Sequence, residues 1–115
     1  MSEDTTMVTD TAFVHDLIKA SSGREIETMD DITFRDRFVP FEGAPQKHPY
    51  DKTKVRLVKN PFEETGSYWE FPVTSIGRVE EAESIGAEDG RTALILRIWI
   101  RKGTRAVSCS PYTVV

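Results

Sequence analysis

The sequence predicts a small, mainly β domain: an antiparallel sheet of four to six strands, barrel-like or strongly bent, carrying one N-terminal helix. Three observations predict it. Residues 93–101 alternate, with Leu94, Leu96, Ile98 and Ile100 on one side of a pleated strand and Ala93, Ile95, Arg97, Trp99 and Arg101 on the other. Residues 55–59 and 67–73 form β-branched and aromatic runs separated by Asn60-Pro61 and Gly66. Clean helical spacing occurs near the N-terminus, where Phe13/Leu17 and Val14/Ile18 recur four apart.

A length of 115 residues suits one domain, and 38% hydrophobic with 30% charged residues is an ordinary globular composition. The longest apolar run, residues 93–100, is interrupted by Arg97 and is far shorter than the roughly 18 residues of a membrane span. The first ten residues are acidic, unlike a secretory signal, and the single Cys109 cannot form an internal disulfide, so a cytoplasmic setting is expected.

Residues 1–9 read as a disordered acidic tail and 10–115 as one domain. Thr9, Asp10 or Thr11 caps the first helix, and Ser21, Ser22 and Gly23 end it. Residues 31–39 read as an extended run closed by Pro40, and residues 42–50, with one glycine and two prolines, as a loop. The runs at 55–59 and 67–73 pair antiparallel, with Trp69 and Phe71 inward. Residues 74–85 admit two readings. A strand follows from a turn at 74–76; a helix follows from the steps of three through Val73, Ile76, Val79, Ala82 and Ile85, and would make an α+β two-layer domain. Gly77 favours the strand, since it costs a helix about 1 kcal/mol relative to Ala. After a loop at 86–90 comes the strand at 93–101; residues 102–104 turn the chain, residues 105–109 pair back, and residues 112–115 add an edge.

Charge divides the chain. Residues 1–31 hold eight acids against Lys19 and Arg24, while the remainder is slightly basic, with an acidic stretch at Glu80, Glu81, Glu83, Glu88 and Asp89. Phosphate-loop, dinucleotide, HExxH, CxxC and GxSxG motifs are absent, which lowers the expectation of an enzyme and leaves no cofactor or metal implied.

The candidate site residues follow from strand geometry. Arg97, Trp99 and Arg101 lie on one strand face about 7 Å apart and form a guanidinium–indole–guanidinium ladder, with Lys102 beyond it. Arg56 and Tyr68, with Lys52, Lys54 and Lys59, make a second basic and aromatic group. His48, Tyr50 and Asp51 make the one polar cluster with acid–base potential. The first expectation is a binding or adaptor module that engages a protein partner, or a second copy, through the exposed strand face. One alternative is single-stranded nucleic acid on Arg97, Trp99, Arg101 and the basic group at 52–59, which the acidic total weighs against. Another is a small-ligand binder or enzyme at His48, Tyr50 and Asp51. The competing structural reading of Trp99 is that it packs beneath a loop or the first helix, with the arginine stems covering its rim.

Overall fold

Strand β6 (Arg91–Arg101) is apolar along one face and half apolar along the other, so it must be covered on both sides. Leu96, Ile98 and Ile100 are buried on the first face, Ala93 and Ile95 on the second. The computed structural model describes residues 6–7, 10–21, 29–62, 67–108 and 110–115. In chain order these form β1 (Thr6–Met7), α1 (Thr11–Ser21), α2 (Asp31–Arg37), β2 (Phe38–Lys47), β3 (Lys54–Val58), β4 (Tyr68–Pro72), a 3-10 turn (Val73–Ser75), β5 (Ile76–Gly86), β6, β7 (Arg105–Ser108) and β8 (Ser110–Thr113).

Neighbouring strands run β5–β6–β2–β3–β4–β7–β8, all antiparallel. β1 adds a two-residue parallel pairing, Thr6 opposite Arg91 and Met7 opposite Thr92. Because β5 already pairs Thr92 through Gly86, β1 lies on the edge of β6 that β2 takes farther along. The rest of the expected tail at 1–9 lies outside the described residues.

Among the described residues, β5 and β8, the outermost strands, pair only inward, so the sheet is open. This overturns the barrel-like or strongly bent sheet expected from the sequence. Alternation tells which face of each strand is buried, but closure depends on strand tilt and stagger, which no local pattern encodes.

Four further expectations are corrected. Residues 31–39 are not one extended run: α2 occupies Asp31–Arg37, so two helices precede most of the sheet. Asp30 caps α2 by accepting from the Thr33 N–H at 2.8 Å, and Asp31 pairs with Arg35 at 3.2 Å one turn on. The helix escaped detection because its length buries one side chain, Phe34, and leaves Ile32 84% exposed, so no apolar stripe marks it. Second, the 42–50 segment is not all loop, since β2 continues to Lys47. Residues 38–43 pair with β6 and residues 44–47 with β3, so among the described residues each half has one unpaired edge, where Pro40 and Pro45 are tolerated. Gly43 lies at the change of partner, where a Cβ would stand 2.7 Å from the Val58 carbonyl oxygen. Third, seven strands lie on the path rather than four to six. Fourth, β7 does not pair back on β6, whose edges are already held by β5 and β2; it pairs with β4 through Glu70–Val107 and with β8.

Other elements stand where the sequence placed them. α1 is capped by Asp10, whose carboxylate accepts from the Phe13 N–H at 3.1 Å. β3 and β4 pair antiparallel with Phe71 buried and Trp69 packed against the core. Residues 76–86 are strand, which sets aside the α+β two-layer alternative. The expectation for Cys109 falls outside the described residues.

One cluster joins Val14 and Leu17 of α1 to Val55, Leu57, Phe71, Leu96, Ile98 and Ile100, so α1 is docked on the first face. Each such side chain contributes about 1.5–3 kcal/mol of burial. α2 covers the second face, where Phe34 and Phe38 are fully enclosed.

Gly77 lies against that second layer. A Cβ there would stand 2.7 Å from Cδ2 and 2.8 Å from Cζ of the buried Phe38 ring. Gly77→Ala is expected to cost about 1–3 kcal/mol in chemical denaturation; an unchanged midpoint would contradict this close approach.

The helix caps also set an acid dependence. The Phe13 N–H holds the Asp10 carboxyl below its ordinary 3.8, with Lys47 helping, and the Thr33 N–H does the same for Asp30. A depressed folded value means the stabilisation is complete above the unfolded value and is lost as pH falls through the folded one. Asp30→Asn keeps an acceptor oxygen, so its loss of thermal stability below about pH 4 should be shallower than that of the parent protein. Identical acid profiles would remove Asp30 from the explanation.

Candidate functional site

The ladder of Arg97, Trp99 and Arg101 forms as strand geometry requires, and register surrounds each member. Arg97 lies between Glu42 of β2 and Glu80 of β5, and Trp99 between Pro40 and Arg78; Arg101 lies opposite Phe38. Arg97 meets the Glu42 carboxylate at 2.7 and 2.8 Å through Nη2 and Nε, and Glu80 at 3.6 Å. The Glu42 hydrogen bond, with the charges of Glu42 and Glu80, raises the Arg97 guanidinium above its usual pKa and keeps it charged. Trp99 donates its indole N–H to Glu80 at 2.8 Å and sets its ring edgewise to Phe34, with centroids 5.3 Å apart. Trp99 thus packs beneath α2 and not beneath the first helix, the one the sequence offered as its cover.

Around Phe34 the structure builds something the sequence did not reveal. Phe34 and Phe38 stack with centroids 4.6 Å apart and planes 14° from parallel. The guanidinium of Arg78 lies 4.0 Å from the Phe34 centroid, and that of Arg101 5.0 Å from the Phe38 centroid. Among the described residues neither arginine has a carboxylate within ion-pair distance. Phe34, Phe38 and Arg78 were missed because their meeting depends on α2 and on the bulge between Ile76 and Arg78. The one available signal was the four-residue spacing of the two phenylalanines. Lys102 is exposed nearby in sequence, its backbone N–H donating to the Arg37 carbonyl at 2.9 Å.

The second basic group is brought together in part. Arg56 lies 4.5 Å from the Tyr68 ring centroid, but its Nε pairs with Glu70 at 3.2 Å. The lysines separate: Lys54 begins β3, and Lys59, beyond its other end, covers Trp69 at 4.4 Å. β2 lies between β3 and β6 and so separates this group from the Arg97 ladder.

His48 and Asp51 line a cavity of about 330 Å³ between α1 and the β2–β3 connection. The His48 side chain is 8% exposed. Its Nδ1 accepts from the Tyr50 and Asp51 N–H groups at 3.3 and 3.0 Å, which places the ring proton on Nε2, 3.2 Å from Glu70. Both nitrogens are therefore engaged, and neither is free to act as a general base. Asp51 turns back to accept from the Thr53 N–H and hydroxyl at 2.9 and 2.6 Å, bonds that hold its carboxyl below the usual value. Tyr50 is 86% exposed and does not line the cavity.

Among the described residues, no three His, Cys, Asp or Glu side chains converge as a metal site would require, and no helix is long and apolar enough to cross a membrane. The outer strands carry features that discourage edge-to-edge pairing. The β5–β6 register shifts twice and residues 81–84 are exposed with glutamates at 81 and 83, while β8 is four residues long and includes Pro111. Comparisons with protein-family models, with curated proteins and with solved structures find no match.

These contacts fix what Trp99 should do. Trp99→Ala removes the ring beneath α2 and should destabilise the fold by about 3 kcal/mol or more. Trp99→Phe keeps a ring and loses the Glu80 bond, at about 1 kcal/mol. Denaturant midpoints for the pair decide it: an alanine variant as stable as the parent would show that Trp99 is not part of the packing.

Proposed function

We propose that this compact β-rich domain is a binding module that engages an acidic surface of a protein partner through the exposed sheet face flanking α2. The observation that carries the reading is the pair of guanidiniums, Arg78 and Arg101, laid on the Phe34–Phe38 stack with no carboxylate at ion-pair distance among the described residues. Arginines held against rings lose little further freedom on binding, so their charge is presented at low entropic cost. Ile32, 84% exposed on α2, leaves an apolar side chain open on the helix that carries Phe34, and Lys102 adds charge next to Arg101 in sequence. Arginine with apolar anchors is what protein interfaces favour.

A protein partner accounts for this face better than a nucleic acid does. Single-stranded nucleic acids stack bases on open ring faces. Here Phe34 and Phe38 are enclosed, and Trp99 is held edgewise between Phe34 and Glu80.

A photo-crosslinking amino acid at position 32 tests the reading. Crosslinked partner segments should be rich in Asp and Glu, and capture should be lost in Arg78→Glu/Arg101→Glu, whose folding is checked by circular dichroism. The same partners captured by the folded double variant would sink the proposal. A short oligonucleotide bound by the parent protein and released by the double variant would replace it with the nucleic-acid reading.

A further inference from the structure

The cavity between α1 and the β2–β3 connection is separate from the arginine face, and its lining has two parts. Phe13 and Leu17 of α1 and Val73 of the 3-10 turn make an apolar floor. Lys47, Lys52 and Lys54 bring three cations to the rim, against Asp16 and Asp51.

The rim charges are not equivalent. Lys47 is tied to Asp10 at 3.4 Å and lies 5.9 Å from the Phe13 ring centroid. Lys54 is 4.0 Å from Glu70, a carboxylate already serving Arg56 and His48 at 3.2 Å each. Asp51 is occupied by Thr53. Lys52 has no carboxylate within ion-pair distance among the described residues.

We infer that this cavity binds a small amphipathic monoanion, its carboxylate held by Lys52 and Lys54 and its short hydrocarbon part lying on Phe13, Leu17 and Val73. With Lys47 answered by Asp10 and Lys54 by Glu70, Lys52 is the lining cation without a carboxylate among the described residues, and one such cation matches one negative group rather than a polyphosphate. An apolar floor gives a purely polar anion nothing to bury. A volume of about 330 Å³ lies at the lower end of small-molecule sites and suits a medium-chain acid. His48, clamped at both nitrogens, serves as a rigid wall, so the ligand is bound and not transformed by it.

Titration of the full ¹⁵N-labelled chain with octanoate, octylammonium and octanol, followed by amide shifts, tests the inference. Octanoate should move resonances across residues 13–17 and 47–54, with affinity rising about three- to fourfold per methylene from butanoate upward until the cavity fills. Octylammonium should leave those resonances unmoved. Lys52→Glu, an exposed change that leaves the fold intact, should weaken octanoate at least tenfold. If octylammonium or octanol binds the same residues as tightly as octanoate, or if Lys52→Glu binds octanoate unchanged, the assignment of an anionic ligand is overturned. If none of the three moves these resonances, the cavity is not a ligand site of this kind.

Discussion

β6 has partners along both edges and neighbours on both faces, and much of the architecture follows from satisfying it. With β5 on one edge and β2 on the other, the chain leaving β6 has no edge to return to. β7 is therefore carried to β4, and the sheet extends outward through β8 instead of folding back as a hairpin. On the first face Leu96, Ile98 and Ile100 require the main core, which α1 completes with Val14 and Leu17. On the second face Trp99 needs a cover and its N–H an acceptor, and α2 and Glu80 supply these.

The polar side of β6 is divided between neutralised and available charge. Arg97 falls in register with Glu42 and Glu80, so its charge is spent across three strands. Such a row adds little net stability at a solvated surface, yet it fixes the two glutamates and through Glu80 orients the indole. Two residues along, the neighbours on β2 and β5 are Pro40 and Arg78 rather than acids, and the guanidiniums settle on rings instead. A cation over an aromatic face has no counter-charge to offset its field, whereas a cation beside a carboxylate does. That difference separates the ladder read from the sequence from the face the structure presents.

Legibility in the sequence tracked locality. β6, the β3–β4 pair and α1 were readable because each carries its own period and its own stops. The strand at 76–86 was readable through Gly77, which a helix tolerates poorly and which here makes room for Phe38. α2 was not readable, since a seven-residue helix that buries one side chain has no stripe to show. Nor was the continuation of β2 to Lys47, because prolines that usually end a strand are harmless where one edge is unpaired. Of the site, the side of β6 that carries Arg97, Trp99 and Arg101 was legible, and their partners were not: Glu42, Arg78 and Phe34 arrive from elements whose register no local pattern reveals.

The cavity depends on one carboxylate with two duties. One oxygen of Asp10 accepts from the Phe13 N–H and caps α1, and the other meets the Lys47 ammonium at the end of β2. The helix that provides the cavity floor is thus started and tethered to the opposite wall by the same side chain. His48 supports that wall from the other end, since its Nδ1 holds the Tyr50 and Asp51 N–H groups while Nε2 reaches Glu70 on β4. A loop fixed through its backbone to a strand two positions away in the sheet holds its shape without a ligand. The space between α1 and the loop is therefore a property of the folded domain itself, set by how Asp10 and His48 divide their polar atoms.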